Sequence, residues 1–253
     1  MNAVMQDMPA ASADADLRTQ VRERLAGFDV DALRKTFRSQ HEFIYLPQLL
    51  TADVTAQLVA AMQATRGTLN RNFIPGHKKG GSVSRHAIDR LAPWIVQLYQ
   101  TPEFITWLEA LCGQKLQRCP ADDPHAYALY FYTEAGDHIG WHYDTSYYKG
   151  ARYTILFGVV DESSCKLGYR LHTRNPGHAV EEAELSLRPG DFVFFNGDYL
   201  QHRITPSKEG EVRVSLTLEY VTDPRMASGW RLFSNLKDAI GYFGFRQTFH
   251  RQN

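Results

Sequence analysis

Between Tyr127 and Tyr220 the chain breaks into short apolar runs separated by glycine, proline and polar turns, and this texture limits the fold more than any other feature. The runs are YALYFY, IGWHYD, RYTILFGVV, a segment near YRLHT, FVFFNG after the turn LRPGD, and finally RVSLTLEY. Strands at such short spacing with Gly/Pro punctuation predict a β-sandwich or barrel. The preceding part reads as mainly helical. Leu17, Val21 and Leu25, then Val30, Leu33 and Phe37, are spaced as on helices, and Thr51 is placed to cap a helix over ADVTAQLVAAMQATR. A further helical region covers Asp89 to Leu111, divided near Pro102, and FIYLPQLL is a strand whose pairing Pro47 limits. Helices first, strands after and no β-α-β alternation give an α+β class with an antiparallel core.

The expected layout is one domain over 1–253. It comprises a flexible tail over 1–16, helical support over 17–126, a strand core over 127–220 and a C-terminal packing segment over 221–253. Within the last, SNLKDAIGYFG is read as a helix that packs back on the body. The stretch NRNFIPGHKKGGSVSRH, residues 70–86, combines glycines and basic residues without periodicity and is expected to be a long loop that serves as a lid.

Composition excludes more than it identifies. Of 253 residues, 28 are Lys or Arg and 28 are Asp or Glu, so the overall charge supplies no attraction to nucleic acid or to an anionic membrane. No apolar run approaches the roughly 18–20 residues that span a bilayer. The start lacks the basic and apolar stretches of a secretory signal. Three cysteines, Cys112, Cys119 and Cys165, are an odd number with no close pair; they read as reduced packing residues of a cytoplasmic protein, not a disulfide framework or zinc ribbon. The expected partner is a small molecule, with no nucleic acid and no membrane, and the oligomeric state is left open.

The chemistry starts at His142-Tyr143-Asp144. In an extended segment residues i and i+2 share a face, so one short stretch presents an imidazole beside a carboxylate. His202 follows much later, beyond the apolar run FVFFNG and its LRPGD turn. Two histidines and one carboxylate on one face of an octahedral ion leave three positions open, the arrangement of non-haem Fe(II) oxygenases. With ten histidines in the chain, His-x-Asp alone is a weak signal, and the strand RVSLTLEY strengthens it. Val212, Val214, Leu216, Leu218 and Tyr220 form one face; Arg213, Ser215, Thr217 and Glu219 form the other. An exposed polar face explains this alternation in isolation. Downstream of a metal-ligand pattern, the polar face instead looks into a cavity where the Arg213 guanidinium grips a carboxylate through two parallel hydrogen bonds.

At these residues the sequence resembles a known family. HYD at 142–144, then HRITP from 202 and RVS from 213, is similar to the Fe(II)/2-oxoglutarate-dependent dioxygenase superfamily. The resemblance implies a double-stranded β-helix, or jelly roll, with N-terminal supporting helices. It implies Fe(II) held by His142, Asp144 and His202, with 2-oxoglutarate and O2 as cosubstrates. Arg213 would bind the distal carboxylate of 2-oxoglutarate with help from Ser215, and Tyr130 would hydrogen-bond the cosubstrate, Tyr132 being an equal candidate. Hydroxylation of an unactivated C–H bond in a small polar substrate, such as an amino acid or derivative, would follow, with succinate and CO2 as co-products. More loosely, GDHIGWHYDTSYYKGARYTILFGVVD resembles the branch of free amino-acid hydroxylases and halogenases. Halogenases of that branch carry a small residue in place of the carboxylate, and Asp144 departs from them. Two alternatives stay open: a cupin-like metal dioxygenase that does not use 2-oxoglutarate, and a non-catalytic jelly-roll binding protein.

Arg85, His86, Trp141 and Tyr143 are candidate substrate contacts, the first two by their place at the end of the 70–86 stretch and the others by nearness to the triad. Arg152 is either a carboxylate-orienting group or the partner of a surface acid. His138 is expected in a loop or just behind the triad, His172 and His178 in a solvated polar loop, and Asn196 in ordinary turn chemistry.

Overall fold

The computed structural model describes residues 10–225. SNLKDAIGYFG and the rest of the C-terminal segment beyond 225 lie outside the described residues. Helix α1 (Ala10–Ala26) starts within the expected tail, where alanine-rich sequence favours helix. Helix α2 (Val30–Ser39) is capped by Asp29, whose carboxylate accepts from the backbone N–H groups of Asp31 and Ala32, and α3 (Ala52–Thr65) is capped by Thr51. The region expected as two helices is three: α4 (Arg85–Leu91), α5 (Pro93–Gln100) and α6 (Pro102–Cys112). Pro93 and Pro102 each sit at the first helical position, where a missing N–H costs nothing, so both prolines restart a helix.

Twelve strands are formed among the described residues: β1 (Phe43–Leu46), β2 (Asn70–Ile74), β3 (Lys78–Val83), β4 (Gln117–Arg118), β5 (Tyr127–Tyr132), β6 (His138–His142), β7 (Arg152–Glu162), β8 (Leu167–Leu171), β9 (Glu181–Leu185), β10 (Phe192–Asn196), β11 (Gln201–Ile204) and β12 (Val212–Val221). They pair antiparallel in the order β1-β10-β7-β12-β5-β3-β6-β11-β8-β9, with β2 on β3 and β4 on β12. The sheet curls so that β10, β7, β12 and β5 face β6, β11 and β8. Alternation along β10 shows the two sides. Phe192 and Phe194 pack outward on the helices, against Trp107 and Phe37, with ring centroids 5.8 and 5.2 Å apart. Val193 and Phe195 point inward, into a cluster with Ile139, Leu167, Leu171 and Ile204. This is the expected jelly roll with a helical backing.

The stretch expected as a lid loop is the β2–β3 hairpin. Strand β3 pairs with both β5 and β6, so it closes the seam between the two halves of the sheet. Its glycines break any period-2 apolar pattern, and they admit close neighbours: an ideal Cβ on Gly80 would stand 3.3 Å from Phe131 O, and one on Gly81 2.6 Å from a Leu69 methyl. Arg71 fixes the hairpin further, donating to both oxygens of Asp137 at 2.8 and 2.6 Å.

Candidate active site

Pairing of β11 with β6 places His202 opposite His142, and their rings lie 4.1 Å apart, centroid to centroid. Asp144 lies two residues beyond the end of β6 and reaches back to both. Its Oδ1 is 3.5 Å from His142 Nε2 and its Oδ2 is 3.7 Å from His202 Nε2. Each of the three offers a ligand atom within 4.8 Å of the others, the spacing of groups that can share one ion. His142 Nδ1 lies 2.8 Å from Gly140 O, so a proton held there leaves the Nε2 lone pair facing the group. Burial first, and His202 next, pushes His142 down to about 4, which keeps the ring neutral at ordinary pH. Burial works against ionisation of Asp144, but the two imidazoles and the Thr154 hydroxyl outweigh it and lower its pKa. A neutral imidazole and an ionised carboxylate are the forms that bind a divalent cation.

The loop bearing Asp144 passes directly over the turn after β10. An ideal Cβ on Gly197 would fall 2.3 Å from Asp144 O and 2.9 Å from Asp144 Cβ, so this approach requires glycine. Asp198, next in that turn, accepts a hydrogen bond from the Ser146 backbone at 3.2 Å. The turn that leads into His202 therefore also seats Asp144.

The three residues open on a cavity of about 710 Å³. All four polar positions of β12, Arg213, Ser215, Thr217 and Glu219, line it, while Val214, Leu216, Leu218 and Tyr220 are buried in the core on the helix side. Arg213 is 1% exposed, lies 5.2 Å from the centre of the Tyr132 ring, and has no hydrogen-bond partner on either terminal nitrogen. A buried guanidinium with two free donors is costly unless an anion completes it. Ser215 and Tyr130 are paired in register across β12 and β5, and both line the cavity, as does Tyr132.

At the other end of the polar face of β12 from Arg213, Arg152 and Glu219 line the cavity as part of a charged cluster that spacing did not reveal. Arg152 is buried, not at the surface. It pairs with Glu219 at 2.7 Å and Asp123 at 3.3 Å. Asp123 also accepts from Tyr148 Oη at 2.6 Å and from the His125 backbone N–H at 2.8 Å. Burial opposes ionisation of Asp123, yet Arg152 and His125 bring its pKa down. Glu219 is instead pushed up to about 8, by burial first and despite Arg152. Two carboxylates thus share one guanidinium, Glu219 at the shorter distance and Asp123 with two further donors.

Of the expected substrate contacts, Tyr143 lines the cavity, with the Arg174 guanidinium 3.8 Å above its ring. The other three do not line it. Arg85 turns to Pro120 O at 2.7 Å and to the Tyr127 ring, because α4 points its first turn at the β4–β5 connection. His86, beside it on α4, is also outside the lining. Trp141 alternates with His142 along β6 and so faces the other way, between Arg170 at 4.0 Å and Arg203 at 4.6 Å. His172 is not solvated: it is 9% exposed and stacks with His41 and His178 at 5.5 and 5.1 Å. His138 begins β6, and Asn196 both accepts from Asp198 N in its turn and donates to Glu42. His77, His125 and Thr154 emerge only in three dimensions, whereas Thr217 and Glu219 had a sequence signal in the polar face of β12 and Tyr147 one in its nearness to the triad.

The chain matches the family model described as "Halogenase D" over residues 26–152. No curated protein matches it in sequence. Among solved structures it is similar to the non-heme alpha ketoglutarate dependent epimerase SnoN from nogalamycin biosynthesis, at 15% identity and a TM-score of 0.65, covering 80% of this chain and 86% of that one. The carbocyclase SnoK of the same biosynthesis gives 14% identity and 0.62, covering 81% and 90%. A Pseudomonas putida prolyl-4-hydroxylase gives 15% identity and 0.54, covering 78% and 100%. At these identities the likeness establishes the fold that Fe(II)/2-oxoglutarate enzymes share.

Proposed function

The chain belongs to the halogenase D family, and from that premise we propose that it is an Fe(II)- and 2-oxoglutarate-dependent oxygenase that hydroxylates a small polar substrate bearing an ammonium group, an amino acid or a derivative of one. The observation that carries this reading is Arg213: buried, with both terminal nitrogens unpaired, on the same cavity as His142, Asp144 and His202. Imidazole and carboxylate donors at one rim suit Fe(II), and a 2-oxoglutarate carboxylate suits the guanidinium fork.

His142, Asp144 and His202 would hold the metal. Arg213, with Ser215 beside it, would pair with the distal carboxylate of 2-oxoglutarate, and Tyr130 or Tyr132 would donate a hydroxyl to it. When bound, iron and 2-oxoglutarate would supply, with O2, the power to oxidise an unactivated C–H bond, with succinate and CO2 as co-products. Arg152 is paired with Asp123 and Glu219 and is not free to bind a second carboxylate. Glu219 is the group that gains from a cation, so the substrate's ammonium is placed there and its C–H bond toward the metal. Tyr143 and Tyr147 wall the space between and displace water. Three buried free cysteines accord with a reducing, cytoplasmic setting for this activity. Among the described residues no helix is long and apolar enough to cross a membrane.

The test is succinate formation from 2-oxoglutarate, with Fe(II) and O2, across a panel of free amino acids and simple amines. The expected result is succinate that depends on one class of amine and disappears with a chelator. Oxidised product without 2-oxoglutarate consumption would favour a cupin-like dioxygenase, and metal-free protein that still binds its ligand would favour a binding role.

A further inference from the structure

Asp144 is the member of the proposed metal group that no strand holds: β6 stops at His142 and β7 starts at Arg152. A carboxylate in that setting can offer an ion one oxygen or two. One contact distinguishes the two oxygens. Thr154, with no exposed surface, donates its hydroxyl to Asp144 Oδ2 at 3.0 Å. Thr154 is itself fixed, since β7 is a central strand and pairs it with Phe195 on β10 and Glu219 on β12. A β-branched side chain has few χ1 choices there.

We propose that Thr154 is a positioning residue whose hydroxyl engages Asp144 Oδ2 and leaves Oδ1 as the single oxygen offered to the metal. This rests on the reading that His142, Asp144 and His202 hold a divalent ion. Its consequence is a count of positions. A carboxylate bound through one oxygen leaves three sites on an octahedral ion, two for 2-oxoglutarate and one for O2. A carboxylate bound through both would take one of them. Gly197 fixes the backbone of Asp144 and Thr154 fixes its carboxylate; the first sets where the ligand is, the second how many atoms it gives.

The probe is Co(II), titrated into the metal-free wild type and into Thr154→Ser and Thr154→Val, with binding read from the visible d–d absorption. Valine keeps the volume and loses the donor; serine keeps the donor and loses the methyl. Thr154→Val should raise the Kd for Co(II) roughly 10- to 100-fold, the usual effect of removing a hydrogen bond behind a ligand, and change the band shape. Thr154→Ser should match the wild type in both. If Thr154→Val binds like the wild type, or serine and valine are equally impaired, the hydroxyl has no such role. Should the valine variant not fold, Thr154→Ala, which also lacks the donor and brings no new metal ligand, is expected to weaken Co(II) binding relative to Thr154→Ser; equal binding by the alanine and serine variants would overturn the role. A folded wild type that binds no Co(II) would reject the metal reading itself, a result distinct from any difference among the variants.

Discussion

Arg213→Met is expected to abolish the stabilisation that 2-oxoglutarate gives the protein while leaving the ligand-free protein at least as stable as the wild type. The two effects have opposite signs and one cause. Without ligand, Arg213 is a buried charge with two unpaired donors on its terminal nitrogens. Replacing a buried, poorly compensated charge by an apolar side chain of similar length is commonly neutral or stabilising. With ligand, on the proposed reading, the same nitrogens meet a carboxylate. Removing one partner of such a pair costs about 3–5 kcal/mol, which at ~1.4 kcal/mol per tenfold corresponds to a loss of about 100-fold to a few thousand-fold in 2-oxoglutarate affinity. Arg213→Lys should recover only part of it, since an ammonium is a point charge and cannot present two parallel donors. Thermal melts with and without 2-oxoglutarate, alongside direct titration, check both signs. A variant that melts lower without ligand and still responds to 2-oxoglutarate would remove Arg213 from the site.

The second large effect concerns the product. Members of a family named for halogenation invite the expectation of chlorine transfer, yet on the proposed reading Asp144 takes the metal position that a halide would need. The carboxylate is an obstacle by size and by charge, because its pKa is lowered by the neighbouring imidazoles and Thr154, which outweigh burial. Turnover in high chloride should therefore give a product with one added oxygen and no chlorine, and varying chloride should leave the product ratio unchanged. Mass spectrometry of the wild-type product decides it. Chlorine in the main product would mean that Asp144 does not occupy a metal position. Asp144→Gly is expected to lose turnover without becoming a halogenase, because Thr154 and Gly197 are arranged around a carboxylate and do not by themselves form a halide pocket.

Much of this site was legible because strand alternation is a strict rule. Arg213, Ser215, Thr217 and Glu219 share one side of β12, and that side lines the cavity. His142 and Asp144 also meet at one rim, though β6 ends at His142 and the loop beyond it, not the strand, brings Asp144 there. The β2–β3 hairpin was not legible, since the glycines of β3 replace the apolar period that marks a strand. The Pro75-Gly76 step, a turn signal between two short extended runs, was the one hint. Trp141 was misplaced by treating nearness in sequence as nearness in space; one residue along β6 reverses the face. The Asp123, Arg152 and Glu219 cluster draws on three separate parts of the chain, and no local pattern announces it. Thr154 looks like any strand threonine until Asp144 folds over it.

The most direct test is an anaerobic crystal structure with Fe(II) and 2-oxoglutarate. The account predicts one ion with His142 Nε2, one oxygen of Asp144 and His202 Nε2 each within about 2.0–2.3 Å, and the distal carboxylate of 2-oxoglutarate paired with both terminal nitrogens of Arg213. An ion held by other side chains, or 2-oxoglutarate bound with Arg213 still unpaired, would contradict it.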